Sequence, residues 1–167
     1  MEETQGFREN LVYAIASLRR VEHQLLVSTK FTKTLDMIKN IVESYITTYD
    51  YVINGLLDKL IEDNKIEERP IAPKVKCDVI VKYFQDDKRF PELLNLYLLL
   101  RRLRNAEFLI ENEFKKKIIA KTSVEGREIH LDIVILTEYF KILKDIIMHV
   151  KENYFGEDKI NIDDMTD

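Results

Sequence analysis

Residues 35–63 read LDMIKNIVESYITTYDYVINGLLDKLIED, and this stretch decides the fold. Its apolar residues recur in steps of three and four, which places them on one stripe of an α-helix. The stripe consists of Leu35, Ile38, Val42, Tyr45, Tyr49, Val52, Leu56 and Leu60. A helix of this length spans about 44 Å, so its stripe needs a long antiparallel neighbour. We therefore predict a helical bundle.

Gly55 interrupts the stripe, and we interpret it as a place where a neighbouring helix approaches closely, because glycine costs a helix about 1 kcal/mol relative to alanine. Further helical patterns cover residues 7–27, 75–85 and 91–117. A final helix is predicted to begin after Asp132, which can cap its first turn, and to end before Gly156.

Residues 118–131 are ambiguous, because Glu125 and Gly126 form a turn signal between two extended arms. A small β-hairpin and an irregular connection between helices both fit this pattern. The predicted fold class is all-α, an up-and-down bundle of four to five helices with a possible small hairpin near residues 118–131. Residues 1–156 are predicted to form this single domain, and residues 157–167 an acidic, disordered C-terminal tail.

The composition favours a globular intracellular protein, with 46% apolar and 34% charged residues among 167. The single cysteine, Cys77, excludes an intramolecular disulfide and suits a reducing compartment. No apolar run approaches the roughly 20 residues of a membrane span, and no signal-peptide core is found. We therefore predict a cytoplasmic protein without a membrane partner. The net charge of −4 is carried by residues 157–167, so the remainder is neutral and does not indicate a nucleic-acid binder.

Catalytic and cofactor signals are absent from the sequence. None of His23, His130 and His149 lies in a Glu-x-x-His or His-Glu-x-x-His pattern, and no glycine-rich phosphate loop is present. His149 lies one turn from Asp145, which predicts an ordinary surface pair, and Cys77 is interpreted as a small core residue. No catalytic residue, metal or cofactor is predicted, and the chain is expected not to be an enzyme.

An arginine cluster, Arg101, Arg102 and Arg104, stands above this background. Guanidinium groups suit phosphate oxygens, and lysines follow along the chain. The residues predicted to contact nucleic acid or a protein partner are Arg101, Arg104, Asn105, Lys115 and Lys116. Interleaved glutamates also permit a solvated, salt-bridged face.

The helix order, the proline-containing loop after the long second helix and the segment Leu103-Arg104-Asn105 resemble the HEPN superfamily. The resemblance implies a helical bundle that acts as a ribonuclease in toxin–antitoxin or defence systems, or as a non-catalytic partner of a nucleotidyltransferase. Catalytic members of that superfamily carry a motif in which an arginine is followed by four to six residues and then by a histidine. The matching positions here are Leu109, Ile110 and Glu111, so the resemblance implies a non-catalytic variant.

Two functional hypotheses follow. The first is a non-enzymatic interaction protein that forms a dimer or higher homo-oligomer, or binds another protein. Its contact surface would be the wide apolar stripe of the fourth helix, which includes Leu94, Tyr97 and Leu98. The alternative is an RNA-binding module or a divergent ribonuclease that uses Arg101 and Arg104.

Overall fold

The computed structural model describes residues 6–31, 34–113 and 117–154, which form five α-helices and a three-stranded antiparallel sheet. The elements are α1 (Gly6–Phe31), α2 (Leu35–Glu62), α3 (Pro73–Tyr83), α4 (Phe90–Arg104), β1 (Leu109–Glu113), β2 (Lys117–Val124), β3 (Arg127–Leu131) and α5 (Ile133–Tyr154). The helical prediction is confirmed, but the fold is not purely all-α, because a small three-stranded sheet lies between α4 and α5. The predicted tail, residues 157–167, lies outside the described residues.

The helix α2 carries the centre of the core. Its N-cap is Thr34, whose hydroxyl accepts the Met37 amide at 3.2 Å. The predicted stripe is buried from Ile38 to Leu60, with Leu35 half-buried, and α1 makes the most extensive contact with α2. Two buried tyrosines join α2 to the other helices, because Tyr45 Oη donates to the Leu136 carbonyl at 2.6 Å and Tyr49 Oη donates to the Leu93 carbonyl at 2.8 Å. These hydrogen bonds satisfy both buried hydroxyls.

The close approach predicted at Gly55 is confirmed. A Cβ atom at this position would lie 3.1 Å from Asn10 Cβ and 3.4 Å from the Phe7 carbonyl oxygen, both on α1. The missing side chain therefore allows α1 and α2 to pack closely at this point.

The helix α4 ends at Arg104, and its predicted extension to Lys117 is wrong. Asn105 closes its last turn, with the backbone N–H 3.3 Å from the Arg102 carbonyl oxygen. The chain beyond it pairs as strands, in the register Leu109↔Lys121 for β1 and β2. Backbone hydrogen bonds that a longer helix would make are thus made across the sheet.

The hairpin alternative for residues 118–131 is confirmed, since β2 and β3 pair directly across the turn at Glu125 and Gly126. Both turn residues have positive φ, 51° and 77°, as a type I′ hairpin turn requires. The sheet packs on the helices through Ala120 and Leu131, which are fully buried. Asp132 then caps α5 as predicted, with Oδ1 accepting the Ile135 amide at 2.8 Å. No helix in the described part of the chain has the length and apolar character that a membrane crossing requires.

Candidate functional site

The predicted arginine cluster does not form one surface. Arg102 forms an ion pair with Glu125 in the β2–β3 turn. Arg104 Nε lies 3.0 Å from Glu43 Oε2 on α2, and both side chains are exposed. Arg101 has a different set of contacts, so the three guanidinium groups diverge. Arg102 and Arg104 are thus salt-bridged, but to Glu125 and Glu43 rather than to the glutamates that follow them along the chain.

The other predicted contact residues do not join Arg104 in a site. Asn105 has an exposed side chain at the end of α4. Lys115 and Lys116 lie outside the described residues. Within residues 6–31, 34–113 and 117–154, no hydrogen bond or ion pair joins a histidine to Arg104 or Asn105.

Arg101 belongs to a half-buried polar cluster that sequence reasoning missed, and we call Asp50, Asn54, Lys76, Tyr97 and Arg101 the cation cluster. Arg101 Nη1 donates to Tyr97 Oη at 3.4 Å, and its guanidinium carbon lies 5.7 Å from the centroid of the same ring. Tyr97 Oη donates in turn to Asp50 Oδ1 at 2.6 Å. Lys76 Nζ donates to Asn54 Oδ1 at 2.9 Å. The cluster thus joins side chains from α2, α3 and α4.

The electrostatics of the cation cluster are unbalanced. Burial lowers the pKa of the Lys76 ammonium, the Asp50 carboxylate opposes this shift, and the positive charges of Arg69 and Arg101 add to it. No carboxylate of the described residues lies within salt-bridge distance of Lys76 or Arg101. Burial and the hydrogen bond to Asp50 raise the pKa of Tyr97, which stays protonated at neutral pH.

A second polar network joins the α3–α4 loop to the end of α5. His149 Nε2 bonds to Asp87 Oδ2, and Tyr154 Oη donates to the same oxygen at 2.7 Å. The Arg89 amide donates to Asp87 Oδ1 at 3.1 Å. The predicted pairing of His149 with Asp145 is wrong, because the imidazole turns toward a carboxylate 62 residues away in sequence.

The imidazole of His149 is engaged at both nitrogens. Nδ1 lies 3.1 Å from Asn153 Nδ2 and 3.4 Å from Arg89 Nη1, and both of these groups are donors. Nδ1 is therefore the acceptor, and Nε2 carries the proton that is donated to Asp87. The His149 and Asp87 side chains are only 12% and 11% exposed, and Phe90 packs edge-on against the imidazole at 5.7 Å. This arrangement fastens the end of α5 to the α3–α4 loop.

Asp87 makes this fastening dependent on pH. Burial alone would raise the pKa of the Asp87 carboxyl, but hydrogen bonds from His149, Tyr154 and the Arg89 amide outweigh it and lower the pKa. A carboxyl whose pKa is lower in the folded state stabilises the fold at pH values above its unfolded pKa, which is near 4. This stabilisation is lost as the pH falls through the folded pKa.

We expect Asp87→Asn to lower the free energy of unfolding by about 1–2 kcal/mol at pH 7 and by much less at pH 3. Urea unfolding at both pH values measures this, with the exposed Asp78→Asn as control, and equal losses at both would contradict it.

Cys77 lies on α3 and is buried, as its interpretation as a core residue predicted. Burial raises the pKa of its thiol to about 11, so the thiol is protonated at neutral pH. Among the described residues, no group of three or more His, Cys, Asp or Glu side chains is arranged to hold a metal ion.

The predicted docking stripe on α4 is covered by the chain itself. Leu94 and Tyr97 are buried, and Leu98 is half-buried. The helices α2 and α3 pack against α4 and account for the width of the stripe. Packing within the chain thus explains the apolar width of the helix without an external partner, and the binding of a partner or second copy stays a prediction.

The most exposed apolar residues of the sheet lie on β1. Leu109 is 79% and Ile110 is 47% exposed. Strand β1 pairs with β2 on one side, and its other side has no partner strand in the part of the chain that the structure describes. The sequence did not reveal this exposed edge, because β1 lies inside the segment that was predicted to continue α4. Two adjacent apolar residues such as Leu109 and Ile110 fit the period of a helix as well as that of a strand.

Comparison with known proteins assigns no relative. No protein family model, curated protein or solved structure matches the chain. The resemblance to the HEPN superfamily therefore stays a hypothesis based on Leu103-Arg104-Asn105 and the order of the helices.

Proposed function

We propose that this protein is a non-enzymatic interaction module that binds an extended segment of a partner protein along the free edge of β1. The observation that supports this most directly is the exposure of Leu109 and Ile110 on an edge strand. Edge strands of soluble proteins are usually protected by charges, prolines or bulges, since they present unpaired backbone groups. An extended peptide can use those groups by adding a strand to the sheet.

The register of the sheet gives the two faces of β1 different environments. Ile110 is paired with Ala120, whose side chain is buried against the helices. Leu109 is paired with Lys121 and lies on the opposite face, because successive side chains of a strand alternate. An added strand would therefore find the apolar Ile110 on the face toward the helices, and Leu109 beside the Glu111 carboxylate on the opposite face.

The charge of β1 favours a different protein over a second copy. Glu111 is exposed, and its carboxylate lies 2.7 Å from Lys121 Nζ. Two β1 strands paired antiparallel over their full length would centre on Glu111 and place this glutamate opposite its own copy. Like charges directly opposite each other destabilise a sheet. The segment that fits is one in which apolar residues alternate with lysine or arginine.

This proposal keeps the first sequence-based hypothesis and moves its contact surface from α4 to β1. It agrees with the resemblance to non-catalytic members of the HEPN superfamily, which act as partners of other proteins. The ribonuclease alternative gains no support, because Arg104 contacts Glu43 and His149 is fully hydrogen-bonded within its network.

The test uses a fluorescent nonapeptide of alternating valine and lysine as the probe. We expect saturable binding by fluorescence anisotropy, weakened at least about tenfold by Glu111→Lys because the substituted strand repels the peptide. The control is Glu67→Lys, which makes the same change of charge at an exposed residue of the loop between α2 and α3 and should leave binding unchanged. Circular dichroism verifies that each variant is folded. Equal binding by the Glu111→Lys variant would reject the β1 site.

Sedimentation velocity distinguishes a second copy from a partner. The proposal predicts a monomer of about 20 kDa, in agreement with the chain mass of 19.9 kDa. A dimer that Glu111→Gln strengthens, because the like-charge pair is removed, would show that β1 binds another copy of this chain and would overturn the partner assignment.

A further inference from the structure

We propose that Lys76 and Arg101 form a binding site for a singly charged oxyanion, with a phosphodiester as its best-matched ligand. The site lies where α2, α3 and α4 meet, and its residues differ from those of the β1 edge. It therefore does not depend on the proposed interaction with a partner strand.

The first argument is that both cations are half-buried with no carboxylate of the described residues within salt-bridge distance. Arg69, which is also half-buried, shows the usual arrangement, with Nε 3.1 Å from Asp58 Oδ1. Lys76 and Arg101 have only neutral oxygens as acceptors at hydrogen-bond distance, from Asn54 and Tyr97. Removing a cation from water without a charged partner is costly, and an oxyanion bound between the two would offset that cost.

The second argument is the number of donors that remain available. The Lys76 ammonium has three N–H donors and gives one to Asn54. Arg101 gives one donor to Tyr97 Oη, and its guanidinium lies against the same ring, which limits the orientations of the rest of the group. Partly immobilised guanidinium donors lose less entropy when they bind an oxyanion in a two-pronged manner.

The third argument concerns the charge of the ligand. The cluster contains two cations and one carboxylate, Asp50, which leaves one positive charge uncompensated. A ligand with a single negative charge neutralises the cluster, whereas a dianion would bring a second negative charge close to Asp50. The depressed pKa of Lys76 agrees with this, because a bound anion would stabilise the ammonium that burial and Arg101 destabilise.

The binding experiment uses dimethyl phosphate, a phosphodiester, titrated into the full chain at low ionic strength and followed by NMR chemical shifts. We expect a Kd on the order of millimolar, as for a ligand with few contacts. Lys76→Gln and Arg101→Gln should each weaken binding at least about tenfold. The matched controls are Lys74→Gln, two residues away on α3, and Arg102→Gln, the neighbour of Arg101 on α4, and both should leave binding unchanged. Equal weakening by all four variants would indicate diffuse surface charge and overturn the site.

A variant that is expected to bind more tightly gives a result that unfolding cannot imitate. Asp50→Asn raises the uncompensated charge from one to two, so it should bind inorganic phosphate at least about tenfold more tightly than the original chain does. Unchanged affinity in a folded Asp50→Asn variant would contradict the charge argument.

A ten-nucleotide oligouridylate then separates two sources of the same chemistry. If the ligand is a nucleic-acid backbone, the oligonucleotide binds at least a hundredfold more tightly than dimethyl phosphate and weakens steeply with salt. If the ligand is a small phosphate ester, the oligonucleotide shows no such gain. Absence of binding by both probes at low salt would reject the site.

Discussion

Replacing Arg69 by alanine is expected to lower the free energy of unfolding by about 3 kcal/mol at neutral pH. Arg69 provides the only positive charge in contact with Asp58 among the described residues, and the carboxylate of Asp58 is 2% exposed. Asp58 Oδ2 accepts hydrogen bonds from the Gly6 backbone N–H at 3.1 Å and from the Asn10 side-chain Nδ2 at 2.9 Å. These bonds hold the start of α1 against α2, so the variant keeps a buried charge at a helix junction without its counter-ion.

The same loss should depend on pH. Burial raises the pKa of Asp58, and Arg69 partly opposes that shift. A carboxyl with a raised folded pKa gives stability that is fully present below the unfolded value and lost as the pH rises through the folded value. Removing Arg69 raises the folded value further, so the deficit should be large at pH 7 and small at pH 4 or below.

Urea unfolding at pH 7 and pH 4 measures both effects. The control is Lys59→Ala, which removes a partly exposed pair with Asp63 and should change stability by less than about 0.5 kcal/mol. Combining Arg69→Ala with Asp58→Asn should recover part of the loss, because no buried charge remains. An Arg69→Ala deficit of the same size at both pH values would show that packing, rather than the charge of Asp58, is responsible.

Gly55→Leu should be about as damaging, with a loss of about 3 kcal/mol from overpacking. Its Cβ would lie 3.1 Å from Asn10 Cβ, and the rest of the side chain would push α1 away from α2. Asn10 also donates to Asp58, so the displacement would disturb that buried hydrogen bond.

Thermal unfolding should show a fall in Tm on the order of 10 °C for Gly55→Leu. Gly55→Ala should have a much smaller effect, since the gain in helix propensity of about 1 kcal/mol opposes the close contact. The control is Thr47→Leu, which places the same leucine side chain at an exposed position of the same helix. A Gly55→Leu variant as stable as this control would contradict the close packing of α1 and α2.

Local signals were sufficient to predict the helices. The stripe of α2 has a period that belongs to a helix alone, and Asp132 and Pro91 mark helix starts through chemistry within one turn. The end of α4 was predicted wrongly because Phe108 continues its apolar spacing beyond Arg104. What stops the helix is the pairing of β1 with β2, whose strand partners lie up to 12 residues apart in sequence, as Leu109 and Lys121 do. Such pairing is a tertiary effect that overrides local propensity.

The candidate sites were harder to predict, because their residues are distant in sequence. Lys76 and Arg101 are on different helices, and their relation depends on how α3 packs against α4. His149 and Asp87 are separated by 62 residues. The sequence shows which residues are capable of such contacts, whereas the packing of the helices decides which contacts form.

The hydrogen bond from Tyr45 to Leu136 also affects the order of events during synthesis. Its partners are 91 residues apart, and a ribosome that adds 5–20 residues per second needs roughly 5–20 s to make that interval. The helices α1 and α2 can associate early, since they are adjacent in sequence. Until α5 has been synthesised, the Tyr45 hydroxyl lacks its partner in the Leu136 carbonyl, and apolar residues that later form the core stay exposed. Chaperones that recognise apolar surface would be able to bind the nascent chain during this interval.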